Sequence, residues 1–174
     1  AEMLETLRGC SAVIADVASI KAPFADLSAE LARTQPVTSI HPMWGPDTRL
    51  LSGRNLLLLD CGNAQATAAM QAVFAPTAAQ VVPLSLADHD RLMALALNLP
   101  HLLNLAFGHA LAGLGVEPQT LATLGGPTFI KQARVCSEVS NESSEIYRQI
   151  QDLNPHGEDM ALALQAGVAA VRAA

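Results

Sequence analysis

The chain has 174 residues, a formal net charge of −6, 51% hydrophobic residues and only 3% aromatic ones. That length suffices for a domain with a real core, and a core so poor in aromatics must be mostly Ala, Leu and Val, which favours closely packed helices. The acidic balance, with no basic cluster, argues against nucleic acid as a partner. Cys10, Cys61 and Cys136 are far apart and form no CxxC pair, which argues against a disulfide framework or a zinc site and suits a reducing cytoplasm.

In chain order, residues 1–84 alternate strand-like and helix-like segments. Ala12–Ala15 is a short apolar run ending at Asp16. Pro23–Arg33 has helical spacing through Phe24, Leu27 and Leu31. Val37–Ile40 reads as a strand, Leu56–Leu59 as a second buried strand, Ala64–Phe74 as a helix and Gln80–Pro83 as a short strand. This alternation predicts an α/β layer with a mainly parallel sheet.

From residue 85 to 174 the pattern is helical only. Ser85 and Asp88 have the spacing of a capping box, with Asp replacing the usual Glu. A long helix follows to about Ala112, expected to bend or break at Pro100, and Gly113 and Gly115 end it. Further helices are expected at Pro118–Leu124, Pro127–Glu138, Ser143–Leu153 and Gly157–Arg172. The stretch Leu92–Val116 carries no Asp, Glu, Lys or Arg, enough to span a bilayer by length. Asn98, His101, Asn104 and His109 interrupt it, however, Pro100 sits near its middle, and no flanking Lys/Arg asymmetry orients it. Such a helix is expected in a core or a subunit interface, and no membrane partner is expected.

The most informative segment is His41-Pro-Met-Trp-Gly-Pro-Asp47. Pro42 and Pro46 restrict the backbone and Gly45 can take angles closed to other residues, so the segment predicts a fixed loop leaving a strand with an imidazole at its start. An unperturbed imidazole titrates at about 6.5, which makes His41 a candidate acid or base. An α/β half followed by a helical half is the plan of many nicotinamide-dependent dehydrogenases. The GxGxxG turn that grips a dinucleotide is absent.

Four stretches carry a resemblance to a known family. Asp16-Val-Ala-Ser-Ile-Lys21, the His41–Asp47 segment, Asp88-His89-Asp90 with Met93-Ala94, and Arg134 ahead of Glu145-Ile-Tyr147-Arg-Gln-Ile150 resemble, in order, the motifs of the prephenate dehydrogenases (the TyrA family of tyrosine biosynthesis, which includes arogenate dehydrogenases). The resemblance covers nearly the whole chain. It implies a fold in two parts: residues 1–84 as the C-terminal part of a Rossmann-like dinucleotide-binding domain, and residues 85–174 as a helical substrate-binding and dimerisation domain. It also places the glycine-rich NAD-binding strand ahead of Ala1, so that the chain reads as a fragment not expected to be active alone.

The implied reaction is the NAD- or NADP-dependent oxidative decarboxylation of prephenate to 4-hydroxyphenylpyruvate in the tyrosine pathway, or of arogenate in the same manner. His41 would take the proton of the ring hydroxyl as hydride leaves. Ser19 would hydrogen-bond and orient the imidazole, its alternative being a helix N-cap. Lys21 would face a substrate carboxylate, or else be a solvated surface lysine. His89, near a helix N-terminus, would bind a substrate polar group, or else serve in capping or packing. Arg134 would clamp a carboxylate through two parallel hydrogen bonds, or else pair with Glu138. His101, His109 and His156 are read as structural, and no metal site is expected. The apolar run Leu92, Leu95, Leu99, Leu102, Leu103 and Phe107 exceeds what a short helical domain can cover, and the family's intertwined dimer implies a homodimer here. The rival reading is a non-catalytic dimerisation or ligand-sensing module with the same fold.

Overall fold

The computed structural model describes residues 2–141 and 143–174; Ala1 and Glu142 lie outside it. The chain divides into two compact units, the first running to Leu92 and the second from Met93 to Ala174.

The first unit is a sheet with helices. A short helix, α1 (Glu2–Glu5), precedes β1 (Ile14–Asp16); a 3₁₀ turn at Ala22–Phe24 opens α2 (Ala25–Ala32); then follow β2 (Val37–Pro42), β3 (Asn55–Asp60), α3 (Ala64–Phe74), β4 (Gln80–Ser85) and α4 (Leu86–Met93). The strands lie in the order β1-β2-β3-β4. β1 pairs parallel to β2, and β3 parallel to β4, but β2 and β3 are antiparallel, with His41 opposite Leu57. The sheet is therefore mixed rather than mainly parallel. The reason lies in the connections: residues 43–54 form a loop without a helix, whereas a parallel return needs a crossover, usually a helix.

Side chains on a strand alternate between faces, and here the alternation divides the core. Val37 packs with Ile14, Leu31, Ala32 and Cys61, with Leu86 against them. Ile40 packs with Leu56 and Leu58, covered by Trp44, Met70, Phe74 and Val81. Leu56 and Leu59 are wholly enclosed, and burying a leucine fully contributes roughly 2 kcal/mol. Polar side chains fix the helix starts. Asn63 Oδ1 accepts from Ala66 N at 2.9 Å while its Nδ2 donates to the carbonyls of Ala32 and Gln35, tying the start of α3 to the end of α2. The Ser85–Asp88 box forms: Ser85 Oγ accepts from Asp88 N at 3.1 Å and donates to Asp88 Oδ2 at 2.7 Å. The shift from strand to helix at Ser85–Leu86 falls inside the first unit, because the α4 side chains His89 and Asp90 hydrogen-bond to groups around β1 and β2.

The second unit is helical. A π-helical turn at Ala94–Asn98 leads into α5 (Leu99–Gly113), followed by α6 (Pro118–Leu124), α7 (Pro127–Ser140), α8 (Ser144–Leu153) and α9 (Gly157–Ala173). The irregularity expected at Pro100 sits one turn earlier. Proline cannot donate a backbone hydrogen bond, and a widened π turn ahead of it takes up the mismatch while Pro100 itself fits the first turn of α5. Asn98, wholly buried, anchors that turn. Its Nδ2 donates to Ile150 O at 2.8 Å, its Oδ1 accepts from Asn154 Nδ2 at 3.2 Å, and its carbonyl accepts from Gln151 Nε2 at 3.1 Å. Among the described residues no single helix is long and apolar enough to cross a membrane.

Candidate active site

β1 and β2 run parallel, so the carboxyl ends of both strands point to one end of the sheet, where open α/β sheets place their ligands. Two chains of buried polar groups start there.

The first begins at Asp16, the last residue of β1. Its Oδ1 accepts from Ala18 N at 3.0 Å and from Lys21 Nζ at 2.6 Å. Lys21 Nζ also donates to the carbonyl of Ile40 at 2.9 Å, one residue beyond the last β1–β2 register pair, Asp16–Ser39. The ammonium thus continues the hydrogen bonding of β2 where β1 has ended. Lys21 is only 1% exposed. Burial pushes its pKa below the ordinary lysine value, with Asp16 opposing that shift. The expectation that Lys21 faces a substrate carboxylate does not match this placement, since its ammonium is enclosed and held by Asp16 and Ile40.

The second chain runs through the histidines. His41 lies within β2, not in the loop after it, and is 4% exposed. Its Nδ1 is 3.0 Å from His89 Nε2, and His89 Nδ1 is 2.7 Å from Asp90 Oδ1. Asp90 is anchored in turn by backbone donors: Lys21 N reaches Oδ1 at 2.9 Å and Oδ2 at 3.1 Å, and Ala22 N reaches Oδ2 at 2.6 Å. Burial raises the Asp90 pKa, but the bonds from His89 and from these two N–H groups outweigh it and hold the carboxyl below its usual range. Burial first, then the charges of His89 and Lys21, push His41 down to about 3, with Asp90 only partly offsetting them. His41 is therefore neutral at physiological pH, and among the described residues its Nε2 takes no hydrogen bond.

Ser19 is half-buried, and the bond to His41 Nδ1 belongs to His89 rather than to the Ser19 hydroxyl. His89 is wholly enclosed with both ring nitrogens engaged, so it supports His41 and presents no polar atom to a substrate. Arg134 lies on α7 in the second unit, with its side chain 80% exposed and paired to Glu138 at 2.9 Å. His101 stacks edge-on to Tyr147, with ring centroids 4.7 Å apart. Gly45, despite its freedom, does not adopt a positive φ. Reasoning from sequence gave Asp90 no role. The available signal was its position beside His89, a carboxylate next to an imidazole near a helix start. Among the described residues no group of three or more His, Cys, Asp or Glu is placed to hold a metal ion.

The helix starts of the first unit also bear on phosphate binding. A dinucleotide pyrophosphate sits on free N–H groups at a glycine-rich strand–helix turn. Here the N–H groups of Lys21 and Ala22 are taken by Asp90, the start of α3 is capped by Asn63, and that of α4 by Ser85. None of these three turns has the glycine-rich strand–helix form that grips a dinucleotide's phosphates.

No family model matches the chain. It is 28% identical over 157 residues to the 4-amino-4-deoxyprephenate dehydrogenase of Streptomyces pristinaespiralis, covering 88% of this chain and 53% of that protein. It is 26% identical over 139 residues to the T-protein of Enterobacter agglomerans, covering 79% of this chain and 37% of that one. The chain thus spans about half or less of the length of these curated relatives. Among solved structures, prephenate dehydrogenase from Aquifex aeolicus, in complex with hydroxyphenyl propionate and NAD+, matches with a TM-score of 0.77 at 17% identity, over 98% of this chain and 63% of that one. Synechocystis arogenate dehydrogenase matches with a TM-score of 0.71 at 20% identity, over 98% of this chain and 64% of that one. The resemblance read from the motifs stands, and the fold is that of these dehydrogenases, a Rossmann-type α/β part followed by helices.

Proposed function

We propose that this chain is the catalytic-base portion of a dehydrogenase that oxidatively decarboxylates a prephenate-type cyclohexadiene. The observation that supports this reading best is His41: a neutral, nearly enclosed imidazole at the carboxyl end of β2, with Nδ1 engaged and Nε2 unoccupied.

The chemistry suits such a base. When hydride leaves the ring carbon that bears the hydroxyl, positive character develops there and the hydroxyl becomes strongly acidic. His41 Nε2 takes that proton as the carbonyl forms. The carboxylate at the opposite ring carbon then departs as CO2, its bonding electrons flow into the ring, and the proton returns to oxygen to give the phenol. No proton is gained or lost overall, so a base of low pKa suffices: it acts only while its donor is strongly acidic. The hydride acceptor would be NAD or NADP, as the similarity to a protein solved with NAD+ suggests. The glycine-rich turn that would grip its phosphates is absent from these residues.

A second substrate has specific support. The Streptomyces relative acts, by its name, on 4-amino-4-deoxyprephenate. An amine at that carbon would lose hydride to give an iminium, whose N–H a neutral His41 could accept in the same way. Ser19, whose hydroxyl makes no hydrogen bond among the described residues, is the side chain of the sheet unit we assign to contact the substrate; in the helical unit Arg134 is held only by an exposed ion pair. Surface pairs of that kind contribute less than about 1 kcal/mol, so Arg134 can exchange Glu138 for a carboxylate. The second unit would pair with a second copy through apolar surface such as Leu162, Val168 and Val171 on α9, each more than half exposed. Three free cysteines suit the cytoplasm.

His41→Asn tests the reading in the protein with its cofactor-binding part present. With prephenate, arogenate and the 4-amino analogue as substrates, kcat should fall roughly 10²–10⁴-fold with KM little changed. An unchanged kcat on the preferred substrate overturns the assignment.

A further inference from the structure

We propose that Asp90, acting through His89, is a positioning residue that fixes the tautomer of His41 and leaves Nε2 as its bare nitrogen. The role of that nitrogen as proton acceptor rests on the reading above; the tautomer does not.

A carboxylate can only accept hydrogen bonds, and three backbone contacts from the N–H groups of Lys21 and Ala22 hold Asp90 in its ionised form. The 2.7 Å contact between Asp90 Oδ1 and His89 Nδ1 therefore needs the proton on His89 Nδ1. When both rings are neutral, each carries one N–H. Nε2 of His89 is then an acceptor, and the 3.0 Å contact to His41 needs the proton on His41 Nδ1. That leaves His41 Nε2 with a lone pair. The direction of the whole chain is set at Asp90, two hydrogen bonds away from the base. The same arrangement places a negative charge behind the imidazolium that forms when His41 takes a proton.

Two substitutions separate direction from mere structure. In Asp90→Asn the amide oxygen can keep the Lys21 and Ala22 N–H groups, but the NH2 must then face His89 Nδ1. The chain reverses, His89 Nε2 donates, and His41 ends with its proton on Nε2, where it cannot serve as an acceptor. In His89→Gln the amide can donate to Asp90 and accept from His41 Nδ1, so direction is kept without a second imidazole.

The test is ¹⁵N–¹H correlation NMR of the histidine rings at pH 8 on the protein, with the Asp90→Asn and His89→Gln variants alongside. The expected result is a bare Nε2 on His41 in the parent and in His89→Gln, and a protonated Nε2 in Asp90→Asn. A protonated Nε2 in the parent overturns the proposal, and this readout stands even if Asp90→Asn fails to fold. In turnover, Asp90→Asn should lose roughly 10³-fold or more in kcat with KM nearly unchanged, by analogy with a triad carboxylate that sets its histidine's tautomer. His89→Gln should lose less in kcat than Asp90→Asn; equal losses in the two variants would also overturn the proposal. The expected tautomers with no turnover on any of the three substrates would instead sink the functional reading and leave the positioning role intact.

Discussion

Each unit buries a polar cluster, and the two are built from different chemistry. In the helical unit, Asn98 meets Ile150, Gln151 and Asn154 through amides and carbonyls, and no member of that cluster titrates. In the sheet unit, Asp16, Lys21, His41, His89 and Asp90 form ionisable chains, with one ring nitrogen left over at a strand end. A closed amide cluster can only hold a shape, here a π turn ahead of a proline. A directed chain of ionisable groups holds a shape and also keeps one group neutral, oriented and available. Burial alone therefore does not mark a candidate site; burial with an unoccupied titratable atom does.

The ionisable chain is most vulnerable at Lys21. Lys21→Met removes the partner of Asp16 and of the Ile40 carbonyl, and should cost about 3 kcal/mol in urea unfolding. Adding Asp16→Val should recover part of that loss, because the uncompensated carboxylate goes with it; a double variant no more stable than Lys21→Met would show the pair is not the cause. The amide cluster should give a smaller loss. Asn98→Ala strands the Ile150 carbonyl and should cost about 2 kcal/mol, with no change in the pH dependence of stability. The pH dependence separates the two clusters most directly. His41 has a folded pKa of about 3 against an ordinary value of 6.5, so the unfolded chain binds the proton first as pH falls. Its contribution is complete above pH 6.5 and is lost progressively down to about 3, with a slope of up to roughly 1.4 kcal/mol per pH unit. Stability measured from pH 7.5 to 4.5 should show that slope, and His41→Asn should flatten it.

Much of the fold was legible because it is local. Val37–Ile40 and Leu56–Leu59 are apolar runs of strand length, Ser85 and Asp88 have capping spacing, and each forms the predicted element. The antiparallel turn between β2 and β3 was not legible. A run of prolines and glycines marks a loop but not the direction in which the next strand pairs. The site divides the same way. His41 stood out through its proline-rich surroundings. Lys21 and His89 were picked out as residues, but their buried partners were not, since those depend on segments far apart in sequence, Lys21 N reaching Asp90 and His41 reaching His89.

By itself, then, the sequence determined which segments form strands and helices and which imidazole sits at a strand end, because spacing, capping and proline restriction act within a few residues. Only the tertiary structure decided that Lys21 is an enclosed structural cation, that Asp90 matters, and which nitrogen of His41 is left open. Those outcomes depend on which groups are removed from water together, and that is settled when α4 packs against the face carrying Val37 and His41.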